Sequence, residues 1–479
     1  MSACNASTTS LPLCVDLDGT LVRTDTLVEG LLILAGGLRV ADLLAAFSGG
    51  RAALKARVAT LAPLDPALLP YNETLLIYLR EQRAAGRRVV LATAANEAVA
   101  TRVAAYLGVF DEVIASTAAH NLTGPAKAAA LVERFGRGGF AYAGDASADL
   151  AVWAEAGAAV LVDVATSVAA RVTVPVERRI TVRPPLLPTL LRAMRPHQWV
   201  KNLLVFVPIF TAHALTDGPS WVGGLLAFAA FCAAASGIYV VNDLLDLGAD
   251  RAHLKKRLRP FAAGDAPAVA GMVVGALLLV LAVGLAAIAG IILVVAIYAI
   301  IALAYSLWLK RQPLVDVFAL AGLFTIRLFG GGAASGHAPS LWLLAFASFA
   351  FLSLALVKRV AEVMESSRHS TARLAGRGYG PDDVAILQLF GVCAAFVASM
   401  VLALYVQNEA NSGRFAVPGL LWGIVPLVLL WNCHMWLSTA RGYMHHDPIL
   451  YAVRDRVSWA IGLAVLAVML FARASWGQG

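Results

Sequence analysis

The stretch Leu11-Pro-Leu-Cys-Val-Asp16-Leu-Asp18-Gly-Thr20 joins a short apolar run to two carboxylates one residue apart. A buried parallel strand that ends on acidic residues and a glycine delivers polar groups to its carboxyl end, where open α/β sheets bind ligands. Outward from it, Arg87-Arg-Val-Val-Leu-Ala92 reads as a second strand ending at Thr93, and Glu112-Val-Ile-Ala115 as a third. Phe140-Ala-Tyr-Ala143 reads as a fourth, ending in Gly144-Asp145. Leucines and alanines at helical spacing fill residues 27–69. Strands alternating with helices predict a parallel α/β sheet with Asp16, Thr93 and Asp145 at its carboxyl edge.

Composition shows that this is only part of the molecule. The 479 residues are 59% hydrophobic and 14% charged, against roughly a quarter charged in soluble domains, which excludes a single soluble globular domain. Through Arg183 the chain has 17 basic and 17 acidic residues, and the rest has 21 and 13, so the whole net charge of +8 lies in the second part. There, nine candidate spans recur near residues 200–217, 220–241, 268–286, 289–308, 314–334, 341–358, 384–406, 415–438 and 457–474. Each is about long enough to cross roughly 30 Å of hydrocarbon at 1.5 Å per residue. The apolar run 268–309 is too long for one crossing and needs two.

The expected fold class is therefore two-part. An α/β, Rossmann-like domain occupies residues 1–171, a linker with prolines at 175, 184, 185 and 188 occupies 172–190, and an all-α polytopic membrane domain of nine transmembrane helices occupies 191–479. The polar residues 1–10 do not form a cleavable signal, so the first domain is expected on the cytoplasmic side. The five cysteines, Cys4, Cys14, Cys232, Cys393 and Cys433, have no metal spacing and suggest no disulfide framework. With the N-terminus inside, the inner loops hold Arg251, Lys255, Lys256, Arg257, Arg259, Lys310, Arg311, Lys358, Arg359, Arg368, Arg373, Arg377, Arg441, Arg454 and Arg456, and the outer side only Arg414 and Arg473. The positive-inside bias then predicts a bacterial-type cytoplasmic membrane protein, N-terminus in and C-terminus out.

In the first domain, Asp16, Asp18, Thr93, Lys127, Asp145 and Asp149 occur in the order of a phosphoaspartyl-transfer site. A carboxylate nucleophile attacking phosphorus needs its charge masked, and Mg²⁺ held by Asp16, Asp145 and neighbouring carboxylates would do that. Asp18 can protonate the leaving oxygen and then activate water. Thr93 and Lys127 would hold phosphoryl oxygens. These motifs resemble the haloacid dehalogenase-type (HAD) phosphatases over roughly residues 10–165, with residues 27–83 as a small helical cap. The resemblance implies a Mg²⁺-dependent phosphatase with Asp16, Asp18, Asp145 and Asp149 around the metal.

In the second domain, Asn242-Asp243-x-x-Asp246-x-x-x-Asp250 begins where the second span meets the cytoplasm, followed by Arg251, His253, Lys255, Lys256, Arg257, Arg259 and Pro260. Spacings of three and four place Asp243, Asp246 and Asp250 on one helical face. Three like charges there call for a divalent cation, and hard oxygen ligands favour Mg²⁺ shared with substrate phosphates. A loop whose basic residues only set topology would explain the cations but not the carboxylate face. Ionisable residues within spans are functional candidates: Asp316 and Arg327 in the fifth, and Lys358, Arg359 and Glu362 at the inner end of the sixth.

This pattern resembles the UbiA superfamily of intramembrane prenyltransferases, whose first aspartate motif matches residues 242–250. Within it, the closer likeness is to the decaprenyl-phosphate phosphoribosyltransferase-like branch. It is carried by Arg195-Pro-His-Gln-Trp-Val-Lys201-Asn202-Leu, Asp250-Arg-Ala-His, Lys256-Arg-Leu-Arg-Pro260, Tyr305-Ser-Leu-Trp-Leu-Lys310, His446-Asp-Pro448 and Asp455-Arg456. The resemblance implies transfer of a 5-phosphoribosyl group from phosphoribosyl diphosphate to a polyprenyl phosphate. Aromatic prenyltransferases carry several aspartates in the fifth helix, whereas Asp316 stands alone here, followed by Arg327. That departure favours a prenyl chain that accepts over one that is donated.

Asp243, Asp246 and Asp250 are expected to hold Mg²⁺ on the donor diphosphate, and Lys201, Lys255, Arg259 and Lys310 to bind its phosphates. Arg327, Lys358 and Arg359 are expected at the acceptor phosphate, and Asn242, Tyr305, Asp316 and Glu362 are further expected substrate-binding residues. The phosphatase domain is expected to dephosphorylate the 5-phosphoribosyl lipid, an envelope-polysaccharide type of precursor. The alternative is an aromatic prenyltransferase beside a phosphatase for an unrelated ester, and a transport or scaffold role would need no metal-binding face. No nucleic-acid partner is expected, and association into homo-oligomers stays open. Gly330-Gly-Gly332 reads as close helix packing, His445-His446 as a hydrogen-bonded inner loop, and Trp199, Trp221, Trp308, Trp342 and Trp476 as interfacial anchors.

Overall fold

The structure is a computed structural model, and it describes residues 11–37, 39–47, 50–367, 378–410, 415–444 and 447–473. Arg368, Arg373, Arg377, Arg414, His445, His446, Trp476, Cys4 and the N-terminal decapeptide lie outside the described residues. The chain forms two compact units, one of residues 1–194 with 239–276, the other of residues 195–238 with 277–479.

The first unit is built on a six-stranded parallel sheet: β1 (Leu13–Val15), β2 (Val89–Asn96), β3 (Glu112–Ser116), β4 (Ala141–Gly144), β5 (Ala158–Val162) and β6 (Val176–Ile180), in the spatial order β3-β2-β1-β4-β5-β6. Central β1 is fully buried, and its side chains alternate between two cores. Leu13 and Val15 join Val89, Leu91, Ala141 and Val160 on one face, while Cys14 joins Val90, Tyr142, Trp153 and Leu161 on the other. The order reverses between β1 and β4, so the crevice beyond their carboxyl ends receives Asp16 from one and Asp145 from the other. Val176–Ile180 falls inside the stretch read as a linker; its outer residues are exposed, and it pairs parallel with β5 as an edge strand.

The cap is shorter than residues 27–83. Thr26–Gly36 is capped by Asp25, which accepts from the Val28 N–H, and packs with Arg51–Leu61 around Leu34, Val58 and Ala62. Helix Glu73–Ala84 instead places Leu75, Leu76, Tyr78 and Leu79 in the main sheet core. The same unit includes the segment around the aspartate motif of residues 242–250. Leu32 of the cap helix packs with Val240, Leu244, Leu247, Phe261 and Ala266. Arg251 makes a bidentate pair with Glu29 at 2.8 and 2.5 Å, and Asp265 takes Arg23 at 2.9 Å and Arg192 at 2.7 Å.

The number of crossings falls below nine. Among the described residues, six helices are long and apolar enough to span: Gly218–Leu245, Ala268–Ile288, Val315–Ser335, Leu341–Ser367, Pro381–Asn408 and Pro418–Ala440. A bent pair, Pro448–Arg454 with Arg456–Ala472 at 78°, makes at most a seventh. The expected first span breaks into a 3-10 segment, Pro196–Phe206, and a single turn and a half, Val207–Thr211, with Pro208 in its first turn. The run 268–309 does divide, at Gly290 with φ +70°, but its second half, Ile292–Leu307, has 16 residues and reaches only about 24 Å. Six crossings put the two ends of the membrane part on one side and seven on opposite sides. Ala268–Ile288 exposes Val269, Val273, Leu277, Val280, Leu281 and Ile288, an apolar surface that requires lipid. The chain is a multi-pass membrane protein.

In the second unit Gly331 approaches the backbone of the 3-10 segment: a Cβ there would lie 1.9 Å from the Val205 carbonyl oxygen. The glycine run is a close-packing device, in agreement with its reading as such.

Candidate active sites

The crevice of the sheet gathers the first set of residues. One oxygen from each of Asp16, Asp145 and Asp149 lies within 4.8 Å of the other two, a hard three-carboxylate set that fits Mg²⁺. Lys127 Nζ sits 2.8 Å from Asp16 and 3.7 Å from Asp149 and donates to the Tyr142 hydroxyl at 2.7 Å. Tyr142 donates in turn to Asp149 at 2.9 Å, and the other Asp149 oxygen accepts from the Asp145 and Ala146 N–H groups. Gly19, at φ +80°, permits the turn: a Cβ there would meet the Asp145 carboxylate at 2.3 Å.

Asp18 is outside that carboxylate group and accepts from the Thr26 N–H at 2.9 Å. Burial, then the Asp25 charge, pushes its carboxyl up to about 7. Burial, then Asp149 and Asp16, also raises Asp145 to about 7, against Arg183 and the Thr20 hydroxyl. The carboxylates around Lys127 outweigh its burial and raise its ammonium above the ordinary value.

Thr93 does not reach the cavity as expected. It is fully buried, and its hydroxyl accepts from the Ala95 N–H at 3.0 Å; Ala94, one residue on, lines the opening instead. Sequence reading passed over Tyr142, whose only signal was a lone aromatic hydroxyl in a strand of small residues, and Lys55. From the cap helix Lys55 donates to the Ala94 carbonyl at 2.5 Å and to Asn121 at 2.9 Å, beside Asp18 and Asp25.

The aspartate motif of residues 242–250 does not lie on one continuous helix, because the helix breaks at Asp246. Leu245 ends one helix, Asp246 has φ −97° and ψ 13°, and Leu247 starts the next. Arg259 Nη1 bridges Asp243 at 3.0 Å and Asp250 at 2.7 Å, and both carboxylates are buried. Among the described residues Asp243, Asp246 and Asp250 are not within mutual metal-ligating reach; their oxygen donors suit Mg²⁺, but a guanidinium occupies the position between two of them. Asn242 is partly buried at the end of Gly218–Leu245, and Lys255 is exposed.

In the second unit the charged residues fall into three groups. Arg359, fully buried, pairs with fully buried Asp316 at 2.5 Å and with Glu362, and donates to Tyr305 at 3.4 Å. Tyr379 donates to the other Asp316 oxygen at 2.6 Å. Lys201 and Lys358 converge on Asp447, at 2.5 and 3.5 Å, so Asp447 is a site residue that the His446-Asp-Pro448 motif contained without showing its role. Arg327 stands apart from Arg359: it donates to Asn202 at 2.7 Å, to Tyr298 at 3.2 Å and to the Leu323 carbonyl, with its guanidinium over the Tyr298 ring. A buried arginine so occupied holds three helices in register. Lys310 is half-buried after Ile292–Leu307. Beside Lys201 an apolar groove of about 620 Å³ is lined by Leu204, Phe351, Leu354, Trp431, Ile461 and Val465.

Comparison with known proteins fits this division. Residues 203–446 match the UbiA prenyltransferase family, and residues 13–153 match haloacid dehalogenase-like hydrolase. The chain belongs to the UbiA prenyltransferase family. It is 35% identical over 475 residues to "Uncharacterized protein y4nM" of Sinorhizobium fredii, covering 96% of this chain and 91% of that one. It is 35% identical over 290 residues to Nodulation protein NoeC of Azorhizobium caulinodans, covering 59% and 93%. It is also 34% identical over 305 residues to the decaprenyl-phosphate phosphoribosyltransferase of Mycobacterium tuberculosis, covering 60% and 96%. This UbiA-family protein is thus an enzyme with a transferase part and a HAD-like hydrolase part.

Proposed function

We propose that the membrane part transfers a 5-phosphoribosyl group from phosphoribosyl diphosphate to a polyprenyl phosphate, and that the HAD-like part then removes the 5-phosphate. The observation that carries the first half is the fifth-helix site. Asp316 is already paired with buried Arg359, and among the described residues no group of three carboxylates lies there to hold a second metal on a prenyl diphosphate. The relative named for this transfer, similar over most of its own length, supports the same choice.

In the transfer, an oxygen of the polyprenyl phosphate forms a bond to ribose C1 as the bond from C1 to the diphosphate breaks, and the diphosphate leaves. Mg²⁺, if held by Asp243, Asp246 and Asp250, would neutralise charge on that leaving group. Arg259 would exchange its carboxylates for donor phosphate, with Lys255 and Lys310 as further cations. Lys201 and Lys358, oriented by Asp447, would hold the acceptor phosphate at the mouth of the apolar groove.

In the hydrolysis, an Asp16 oxygen attacks phosphorus and the bond to the ribose 5-oxygen breaks. Asp18, with its carboxyl near 7, gives that oxygen a proton and then takes one from the water that cleaves the aspartyl phosphate, releasing inorganic phosphate. Lys127 and Tyr142 hold Asp16 and Asp149 in place. Mg²⁺ on Asp16, Asp145 and Asp149 would mask charge between nucleophile and phosphate. The N-terminal domain is placed in this proposal on the cytoplasmic face of a bacterial inner membrane, on the basic cluster Arg251, Lys255, Lys256, Arg257 and Arg259 that follows the helix Gly218–Leu245.

Mass spectrometry of lipids made by the full chain from phosphoribosyl diphosphate and polyprenyl phosphate tests the proposal. Wild type should give polyprenyl-phosphoryl-ribose and Asp16→Asn the 5-phosphate. An unchanged product in Asp16→Asn refutes the hydrolytic half. Product formed only from a prenyl diphosphate and an aromatic acceptor refutes the transfer half.

A further inference from the structure

The lining of the phosphatase cavity includes residues that the hydrolysis does not use. Its volume is about 390 Å³. Beside Asp16, Asp18, Asp145, Asp149 and Lys127 it is lined by Arg23, Arg183, Pro267, Ala268 and Val269.

The two arginines are only partly occupied by protein. Arg23 gives one Nη to Asp265 at 2.9 Å. Arg183 gives one Nη to the Gly19 carbonyl at 3.2 Å, and its Nε lies 4.0 Å from Asp163. The Nε of each is buried with no hydrogen-bond partner. Gly264, at φ +71°, lets its loop close on Arg23, where a Cβ would lie 2.6 Å from the Arg23 Cβ. Holding two guanidinium groups, with donors unspent, against one cavity is costly unless an anion binds there. Asp265 is shared with Arg192, so it does not fully offset Arg23.

The neighbouring wall adds the ligand's other property. Ala268 and Val269 begin the lipid-exposed helix Ala268–Ile288, and Val269 is half exposed. A substrate that touches the carboxylates, the arginines and these residues together carries a phosphomonoester, a second anion and an apolar part. A phosphodiester-linked lipid has all three.

We propose that Arg23 and Arg183 form a second anion subsite of the phosphatase, which reads the phosphodiester joining the sugar to its lipid while the terminal monoester is cleaved. This deepens the hydrolytic half of the proposed function and rests on it for the identity of the monoester. Both arginines are specificity residues, and they take no part in bond breaking.

The test uses the full chain in phosphatidylcholine nanodiscs, where bilayer anions do not compete for the arginines. Three phosphomonoesters are compared: ribose 5-phosphate, methyl-phosphoryl-ribose 5-phosphate and farnesyl-phosphoryl-ribose 5-phosphate. Wild type should prefer the methyl diester over ribose 5-phosphate in kcat/KM. In Arg183→Gln that preference should shrink by about tenfold to a hundredfold, the range of a lost charge-assisted contact. Arg183→Lys should restore part of it, and Arg23→Lys, which can still pair with Asp265, should weaken it without loss of fold. No preference in wild type, or a preference untouched by both substitutions, overturns the subsite. An arginine-dependent preference for the methyl diester with the farnesyl compound left uncut supports the subsite and refutes dephosphorylation of the lipid product.

Discussion

Metal binding at the phosphatase site should fall steeply as pH drops through neutrality. Asp145 is raised from an ordinary 3.8 to about 7, by burial first and then by the charges of Asp149 and Asp16. Its charged form is the metal ligand, so a cation must displace a proton below that pH. For one ligand with a carboxyl near 7, the ionised fraction is about one in eleven at pH 6 and about ten in eleven at pH 8. The apparent Kd for Mg²⁺ should thus weaken about tenfold from pH 8 to pH 6, or about 1.4 kcal/mol. Near pH 7 about half a proton should be released per ion bound, measured by calorimetry in two buffers of different ionisation enthalpy. Removing a nearby cation with Arg183→Gln should move the midpoint upward. A Kd that does not change between pH 6 and 8, with no proton release, would refute the view that burial keeps Asp145 protonated. Without metal the sign is opposite for stability. The folded-state carboxyls of Asp145 and Asp18 titrate above the unfolded value, so the stability they contribute is full below about 4 and is lost as pH rises to about 7.

Lys127→Met should abolish phosphatase activity and destabilise the first unit by about 3–5 kcal/mol, because Asp16 and Asp149 lose their buried cation; adding Mg²⁺ should recover part of that loss in a thermal melt. Arg359→Met should unfold the second unit at lower temperature by a similar energy, leaving fully buried Asp316 unpaired, and Asp316→Asn on top should recover most of it. Glu29→Gln should loosen the cap by leaving Arg251 buried with half a partner, seen as faster proteolysis within residues 37–50 at an unchanged melting temperature of the second unit. Gly331→Ala should reduce the yield of folded protein in detergent, since the added methyl meets the Val205 carbonyl at 1.9 Å; normal yield and melting would show that the two segments move apart without cost.

Legibility from sequence followed how local each signal was. Four strands were visible because each apolar run ends on a functional or turn residue, as Val15 does on Asp16 and Gly144 on Asp145. Two strands were missed: β5, Ala158–Val162, although it is apolar and fully buried, and β6, because Val176-Glu-Arg-Arg-Ile180 is polar as an edge strand and its Glu177 is used to pair with buried Arg87 at 2.9 Å. Spacing placed three aspartates on one continuous helix, whereas the helix breaks at Asp246 and Arg259, nine residues beyond Asp250, reaches both Asp243 and Asp250. Apolar length overcounted the spans because length cannot tell a crossing helix from the broken segment at 196–211. The partners Asp16 with Lys127 and Asp316 with Arg359 lie 111 and 43 positions apart, beyond any periodicity.

The reason for one chain to contain both activities lies in what each can release. Every buried methylene holds a lipid in the bilayer by about 0.8 kcal/mol, so under the proposed function the polyprenyl product would not travel through water to a soluble hydrolase. The hydrolase must come to the membrane surface, and a flexible tether alone would set only a modest effective concentration. Within the first unit the attachment is stiffer than a tether. The cap helix is pinned to the segment of residues 242–266 by Glu29 and Arg251 and by the Leu32 to Leu244 packing, and the catalytic loop by Arg23 and Asp265. Those contacts bring the start of a lipid-exposed helix to the lip of a cavity that holds phosphatase chemistry. A soluble sugar phosphate needs no such lip, whereas a headgroup anchored by its tail can reach Asp16 only if the cavity is held at the surface where that tail lies.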